Sequence, residues 1–175
     1  MNDKQWNTLT KLAAAVVIAA TEAQAEQRCG QTTRLTGDRI IVSIPDRKLV
    51  LMNGDHVMKI YDVAVGKAST PSPEGEFRIV NRIPNPAWYT VGKVVAPGKG
   101  NPLGTRWMGL SAKGYGIHGT NAPKSIGKAA SHGCIRMGAA DLEELFELVS
   151  VGVVVEIHAE RPEKLARAFD RAVTD

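Results

Sequence analysis

Residues 39–65 read RIIVSIPDRKLVLMNGDHVMKIYDVAV, and this stretch decides the fold class. It contains three runs of β-branched and apolar residues, at 39–44, 47–52 and 56–65. A Pro-Asp pair separates the first two runs, and Asn53-Gly54, a strong hairpin signal, separates the second from the third. Short strands that follow one another so closely predict a β-rich core, built as a sandwich or a barrel.

Further strands and two helices are expected after this stretch. Residues 76–81 and 153–157 have the apolar pattern of strands. Apolar residues between 142 and 149 recur at helical spacing and predict one internal helix, closed by a glycine at 152. Pro162 suits a first helical turn, so we expect a C-terminal helix within residues 159–175.

Residues 83–104 form a proline- and glycine-rich connection that is longer than most loops. Two interpretations stay open for it. It is either a functional flap over a site or a plain connection that contains a short hairpin around 89–95. Trp88 and Tyr89 would line a site in the first case and anchor the loop on the core in the second.

The composition is that of one soluble globular domain. The chain has 175 residues and a net charge of +4, with 43% hydrophobic and 23% charged residues. Lysine and arginine form no block, and only 5% of the residues are aromatic. Nucleic-acid binding is therefore not expected. The small positive excess suits an acidic partner but is weak evidence for one.

Residues 1–25 have the pattern of a secretory signal peptide that is removed from the mature protein. The apolar run LAAAVVIAA at 12–20 follows two lysines, and Ala23-Gln24-Ala25 has the form of a cleavage site. This run is too short to span a bilayer, and no later run is long enough. We expect an exported soluble protein in which a short segment, 26–37, precedes the domain. An uncleaved anchor or a cytosolic helix is the alternative, and Asp3 counts slightly towards it.

A thiol and two imidazoles lie close together in the second half of the chain. Cys134 is in the run Ser131-His132-Gly133-Cys134-Ile135-Arg136, and Ile117-His118-Gly119-Thr120 lies upstream. A thiol attacks only as thiolate, so it needs a base at neutral pH, and histidine suits that role. Either His118 or His132 could take the proton. Gly133 would let backbone amides approach a substrate carbonyl and bind an oxyanion. The cluster predicts acyl transfer.

Three alternatives compete with this interpretation. Cys29 could pair with Cys134 in an oxidising compartment, but it lies in a polar segment and the bond would block the nucleophile, so we expect a free thiol. His118, His132 and Cys134 could bind zinc, although the chain has no CxxC or HExxH motif. A non-catalytic binding module would not need a thiol flanked by imidazoles.

These motifs together resemble the signature of the L,D-transpeptidase (YkuD-like) catalytic domain. The resemblance rests on His118-Gly119-Thr120 and on the run from Ser131 to Arg136. Residues 70–77, TPSPEGEF, are similar to the T-P-x-G-x-F segment of that family. The resemblance covers about residues 38–158. These residues would be the catalytic domain, and the terminal helix would follow at 159–175.

The resemblance implies an enzyme that acts on peptidoglycan stem peptides without a cofactor or metal. Cys134 would attack the carbonyl before a terminal D-residue, form a thioester and pass the acyl group to an amine or to water. His118 would be the general base, oriented by the carbonyl of Gly119. The amides of Gly133 and Cys134 would bind the oxyanion, and His132 would shape the pocket.

Two further residues complete the expected site. Arg136 would bind a substrate carboxylate through two of its guanidinium nitrogens, or would pair with a structural acid. Ser131 is placed with the substrate-binding residues, although its hydroxyl would more simply support the turn.

The resemblance also gives the expected partners and location. The donor would be a stem peptide, and the acceptor a second stem peptide, an outer-membrane lipoprotein, a free D-amino acid or water. The sequence does not identify the acceptor. Two alternative functions also stay open: hydrolysis of wall peptides by the same site, and a wall-binding module without catalytic activity. We expect a monomer in the periplasm or cell wall.

Overall fold

The computed structural model describes residues 36–161 and Leu165. This part of the chain is mainly β-structure with one α-helix. In chain order the elements are β1 (Arg39–Ser43), β2 (Lys48–Asn53), β3 (His56–Gly66), β4 (Gly75–Pro84), β5 (Trp88–Thr90), β6 (Lys93–Val95), β7 (Arg106–Leu110), β8 (Gly116–His118), a 3₁₀ turn (Pro123–Ser125), β9 (Ala129–Ser131), β10 (Ile135–Met137), α1 (Ala139–Leu148) and β11 (Val154–His158).

The main sheet closes on itself as a barrel. Its nine strands run in the order β10-β8-β7-β4-β11-β1-β2-β3-β9, and β10 also pairs with β3. The eight strands from β10 to β3 therefore form a ring, while β9 extends from β3 and β5–β6 form a separate hairpin. Closure pairs both edges of every strand in the ring, so no strand of the ring has an unpaired edge that could bind another chain. The predicted β-rich, barrel-like core is confirmed.

Strands β1 and β2 are buried on both faces. One face contributes to the main core inside the barrel, and the other packs in a smaller cluster with Leu165. The first set is Ile40, Val42, Leu49 and Leu51, and the second is Ile41, Val50 and Met52. Because both faces are covered, the sequence shows continuous apolar runs here instead of an alternating pattern.

Helix α1 places Leu142, Leu145 and Phe146 in the main core, as the helical spacing predicts. It ends at Leu148, earlier than the expected close at Gly152. Gly152 has φ 95° and lies in the turn that leads into β11, so it permits that turn and does not cap the helix.

Two expectations fall outside the described residues and stay predictions. These are the signal peptide of residues 1–25 and the C-terminal helix, of which the structure describes only residues up to 161 and Leu165. Within the described part of the chain, no helix has the length and apolar character that a bilayer span requires.

Candidate active site

Two neighbouring parallel strands bring the candidate residues together. In β8 and β10, Ile117 lies opposite Ile135 and His118 lies opposite Arg136. Both isoleucines are buried in the barrel core. Side chains alternate between the faces of a strand, so His118 and Arg136 point to the other face, together with Cys134, which directly precedes β10.

Cys134, His118 and Arg136 line one cavity of about 560 Å³, with His132 at its wall. The rest of the lining is mostly apolar and aromatic. It includes Ile83, Pro86, Ala87, Trp88, Tyr89, Pro102, Leu103, Trp107 and Gly114. The segment 83–104 contains the expected short hairpin, β5–β6, and this hairpin lines the cavity through Trp88 and Tyr89.

His118 is held in one orientation. It is 5% exposed, its Nδ1 lies 2.7 Å from the carbonyl oxygen of Gly119, and its ring stacks on Trp107 with centroids 5.6 Å apart. A ring nitrogen this close to a carbonyl oxygen carries the proton, which leaves Nε2 as the acceptor. Burial lowers the pKa of His118 to about 4 despite the raising effects of the Gly119 and Pro102 carbonyls, and the charge of Arg136 adds to the lowering.

Cys134 is a half-buried free thiol, as predicted, whereas Cys29 lies outside the described residues. Its Sγ donates to the carbonyl oxygen of Gly114 at 3.7 Å. Burial raises the pKa of the Cys134 thiol, although the backbone N–H of Gly116 and the charge of Arg136 act in the opposite direction. At neutral pH the site therefore holds a neutral thiol and a neutral imidazole, not a thiolate–imidazolium pair.

Ser131 organises the loop that carries Cys134. Its hydroxyl donates to the carbonyl oxygen of Cys134 at 2.6 Å and accepts the N–H of Gly133 at 3.0 Å. Ser131 is completely buried and does not line the cavity. This position favours the turn-supporting role of Ser131 over its placement among the substrate-binding residues.

The same contact changes the expected set of oxyanion donors. The Gly133 amide is directed to the Ser131 hydroxyl and is not free to face the cavity. The Cys134 amide has no acceptor among the residues that the structure describes. Of the two amides expected to bind an oxyanion, only that of Cys134 is available.

Gly133 is needed for the shape of this loop. Its φ is 110°, a conformation that other residues rarely adopt. A Cβ at this position would lie 2.6 Å from Cε1 of Tyr115 and 3.1 Å from the carbonyl oxygen of Pro71. The loop is therefore packed between Tyr115, which directly precedes β8, and Pro71 of the TPSPEGEF segment.

The TPSPEGEF segment supports the Cys134 loop from outside the cavity. The carbonyl oxygen of Ser131 accepts the N–H of Lys67 at 3.1 Å and the hydroxyl of Thr70 at 3.3 Å. The Ser72 hydroxyl accepts the N–H of Gly66, at the end of β3, at 2.9 Å. This motif thus holds the strand end and the loop together, and none of its residues lines the cavity.

Arg136 has no carboxylate partner among the described residues. Of its two expected roles, pairing with a structural acid therefore finds no support in the described part of the chain. The guanidinium is partly exposed in the cavity beside His118 and Cys134.

Sequence reasoning did not identify Trp107. Its indole covers β8 so closely that a Cβ on Gly116 would lie 2.6 Å from Cη2, and Nε1 donates to Oδ1 of Asn81 at 3.1 Å. Trp107 thus fixes one face of the His118 ring. The signal in the sequence is a tryptophan in a chain with only 5% aromatic residues, and its partner becomes visible only from the pairing of Trp107 with His118 across β7 and β8.

Metal binding by the same residues was the other chemical alternative. Nowhere in the described residues do three histidine, cysteine, aspartate or glutamate side chains come together as metal ligands would. His118, His132 and Cys134 therefore share a cavity without forming a ligand set.

The resting protonation state predicts how Cys134 reacts with a simple electrophile. In a Cys29→Ala background, the rate of alkylation by iodoacetamide should rise steadily from pH 6 to above pH 9, because the raised pKa of Cys134 keeps the thiol protonated at neutral pH. The rates are measured by mass spectrometry. A plateau already reached near pH 6 would instead reveal a thiolate–imidazolium pair.

Comparisons with known proteins agree with the predicted resemblance. The family model described as the L,D-transpeptidase catalytic domain, YkuD, matches residues 37–157. Over 170 residues the chain is 41% identical to the YkuD protein of Bacillus subtilis (strain 168), and the match covers 89% of this chain and 96% of that one. It is 49% identical over 119 residues to YkuD of Bacillus licheniformis, covering 68% of this chain. The chain spans 64% of the length of that relative.

A solved structure supports the same relationship. The NMR structure of the catalytic domain of the Enterococcus faecium L,D-transpeptidase superposes with a TM-score of 0.57 at 25% identity. The superposition covers 69% of this chain and 96% of that domain. An L,D-transpeptidase from Mycobacterium smegmatis, at 20% identity and a TM-score of 0.58, shares the fold.

Proposed function

Since this chain belongs to the YkuD family of L,D-transpeptidase catalytic domains, we propose that it transfers the acyl group of a peptidoglycan stem peptide through a thioester on Cys134. The observation that carries the proposal is the meeting of three groups in one cavity. These are the free thiol of Cys134, the neutral ring of His118 with Nε2 unprotonated, and the guanidinium of Arg136, which has no carboxylate partner within residues 36–161.

The first half of the reaction forms the thioester. Sγ of Cys134 attacks the carbonyl carbon that precedes the terminal D-residue, while the thiol proton passes to Nε2 of His118. The C–N bond to the D-residue then breaks, and the leaving amine takes the proton from Nε2. The product is a thioester on Cys134 and a neutral His118.

The second half transfers the acyl group. The acceptor amine attacks the thioester carbonyl and gives a proton to Nε2 of His118. The C–S bond then breaks, and the departing sulfur recovers that proton. His118 acts as base and then as acid in both halves, which suits a group that is neutral at rest and charged only during the reaction.

The amide of Cys134 is proposed to bind the oxyanion of each tetrahedral intermediate. Its N–H has no acceptor among the described residues, whereas that of Gly133 is bonded to Ser131. The exposed His132 is proposed to form a wall of the pocket, with no proton-transfer role. Gly119 contributes its carbonyl, which fixes the proton on Nδ1 of His118.

Arg136 is proposed to bind a carboxylate of the donor peptide. Replacing it by glutamine should raise KM about tenfold to a hundredfold with a smaller change in kcat, because a charge-assisted contact is lost. The measurement compares the free donor with donors amidated at the terminal D-residue or at the diamino acid side chain. The amidation that weakens the wild type but not Arg136→Gln identifies the bound carboxylate. If both enzymes respond equally to every donor, Arg136 does not bind a carboxylate.

Export to the periplasm or cell wall is part of the proposal, supported by the signal-peptide pattern of residues 1–25. Fusion of these residues to a reporter that is active only outside the cytoplasm tests this part alone. Reporter activity that depends on the apolar run at 12–20 would support export.

The proposed activity is tested with purified tetrapeptide muropeptides as donor and mass spectrometry of the products. Crosslinked dimers, or products that carry an added amine, are expected together with release of the terminal D-residue. Release of the D-residue without any transfer product, in the presence of excess amine, would make the protein a hydrolase. Unchanged muropeptides would refute the proposed substrate.

A further inference from the structure

Asn101 is a buried polar residue for which the proposed reaction assigns no role. It is 1% exposed, in the segment between the β5–β6 hairpin and β7. Its Nδ2 lies 2.8 Å from the carbonyl oxygen of Pro86, and 3.2 Å from those of Val95 and Ala96. Pro86 precedes the β5–β6 hairpin, Val95 is its last residue and Ala96 follows it, so one side-chain amide binds both ends of the hairpin.

The other end of the Asn101 side chain leads towards His118. Oδ1 of Asn101 accepts the N–H of Leu103 at 2.8 Å. The carbonyl oxygen of Leu103 accepts the N–H of Gly119, also at 2.8 Å, and the carbonyl oxygen of Gly119 lies 2.7 Å from Nδ1 of His118. A chain of short contacts therefore runs from the base of the hairpin to the ring.

Close backbone packing leaves little room for movement along this series of contacts. Gly104 has φ 66°, and a Cβ on it would lie 2.7 Å from Cα of Gly119. In return, a Cβ on Gly119 would lie 2.9 Å from Cα of Gly104 and 3.0 Å from the carbonyl oxygen of Leu103. Since proteins pack as nearly incompressible solids, a shift of the 101–104 segment must also move Gly119.

We propose that Asn101 is a positioning residue that couples the β5–β6 hairpin to His118. The hairpin walls the cavity through Trp88 and Tyr89, so a donor peptide that fills the cavity contacts the element to which Asn101 is bonded. The coupling fixes the direction of Nε2 when the hairpin is seated over the site. The role of His118 as base rests on the proposed function, whereas the coupling itself belongs to the resting protein.

Two substitutions separate the two ends of the Asn101 side chain. Asn101→Asp keeps an oxygen that can accept the N–H of Leu103 but loses the donor to the hairpin carbonyls. Asn101→Ala removes both ends. Asn121→Ala is the matched control, because this exposed amide in the neighbouring segment donates, among the residues the structure describes, to the carbonyl oxygen of Gly100 alone, at 3.2 Å.

Three measurements are made on each variant after its folding has been checked by thermal unfolding. Hydrogen exchange reports the protection of the backbone amides of residues 88–95. Nitrogen-15 NMR of the His118 ring reports whether the proton stays on Nδ1. The rate of Cys134 acylation by a carbapenem reports the chemical step.

In Asn101→Asp we expect faster exchange of the hairpin amides, a mixed tautomer in place of the single Nδ1–H form of His118, and at least about tenfold slower acylation. Asn101→Ala should show the same changes more strongly if it folds, and Asn121→Ala should match the wild type. If Asn101→Asp frees the hairpin but leaves the His118 tautomer unchanged, the coupling is refuted. Unchanged hairpin exchange in Asn101→Asp refutes it as well.

The first two measurements need no substrate, so they separate this proposal from the proposed function. A wild type that fails to convert muropeptides but shows the expected NMR and exchange changes in Asn101→Asp would overturn the function and keep the coupling. If the wild type converts muropeptides but the His118 tautomer does not change in Asn101→Asp, the proposed function is kept and the coupling is overturned.

Discussion

Replacement of Cys134 by alanine is expected to abolish covalent acylation. A carbapenem that mimics the acyl donor should add to the wild-type protein and be visible as a mass increase on the intact chain, whereas Cys134→Ala should show none. Muropeptide turnover should fall by at least about 10³-fold, because the thioester route needs the sulfur and no other nucleophile takes its place. The backbone of the loop should survive, since Ser131 bonds to the carbonyl and not to the side chain of residue 134.

The chain offers a matched control for this prediction. Cys29 is its only other cysteine, so Cys29→Ala should keep the full carbapenem adduct and the full turnover. Cys134→Ser keeps a side chain of similar shape but a much weaker nucleophile, and should behave like the alanine variant. An adduct that persists in Cys134→Ala would show that another residue carries the acyl group.

The second large effect is expected at His118. His118→Ala should lower kcat/KM by about 10²- to 10⁴-fold, the usual contribution of a general base, whereas His132→Ala should cost far less. The difference in burial underlies this order, because His118 is fixed by Gly119 and Trp107 while His132 is exposed at the cavity wall. Steady-state kinetics on the two variants decide it. The opposite order would mean that His132 is the base and His118 the pocket residue.

The pH profile gives an independent check on His118. The ring must be neutral to accept the thiol proton, and its pKa is lowered to about 4. Wild-type activity should therefore be kept as the pH falls to about 5 and be lost as it falls through about 4, provided that the protein stays folded. This acidic limb should be absent from the residual activity of His118→Ala.

The three strands of residues 39–66 could be predicted from the sequence to within one residue at each end. They are long runs of β-branched and apolar residues bounded by turn formers, so local preference and tertiary packing agree. The internal helix is also predictable from the sequence, because its buried residues recur at helical spacing. The choice of Cys134 and His118 as candidates came from residue chemistry and from the resemblance to a family.

Strands β7 to β10 could not be predicted in this way. β8 and β10 have three residues each and present only one or two side chains to the core, too few for a periodic pattern. Pairing with neighbours far along the chain makes them strands, as when Ile117 meets Ile135. The bond that removes the Gly133 amide from the oxyanion set is equally invisible, since it depends on φ 110° at that glycine.

The neutral resting state of the site also bears on the chemical lifetime of Cys134. Oxidation of cysteine to sulfenic acid and beyond starts from the thiolate, and the later steps cannot be reversed in most proteins. A half-buried sulfur whose raised pKa keeps it protonated at neutral pH presents little thiolate to peroxide. The burial that slows attack by Cys134 on simple electrophiles thus also shields it from oxidative damage.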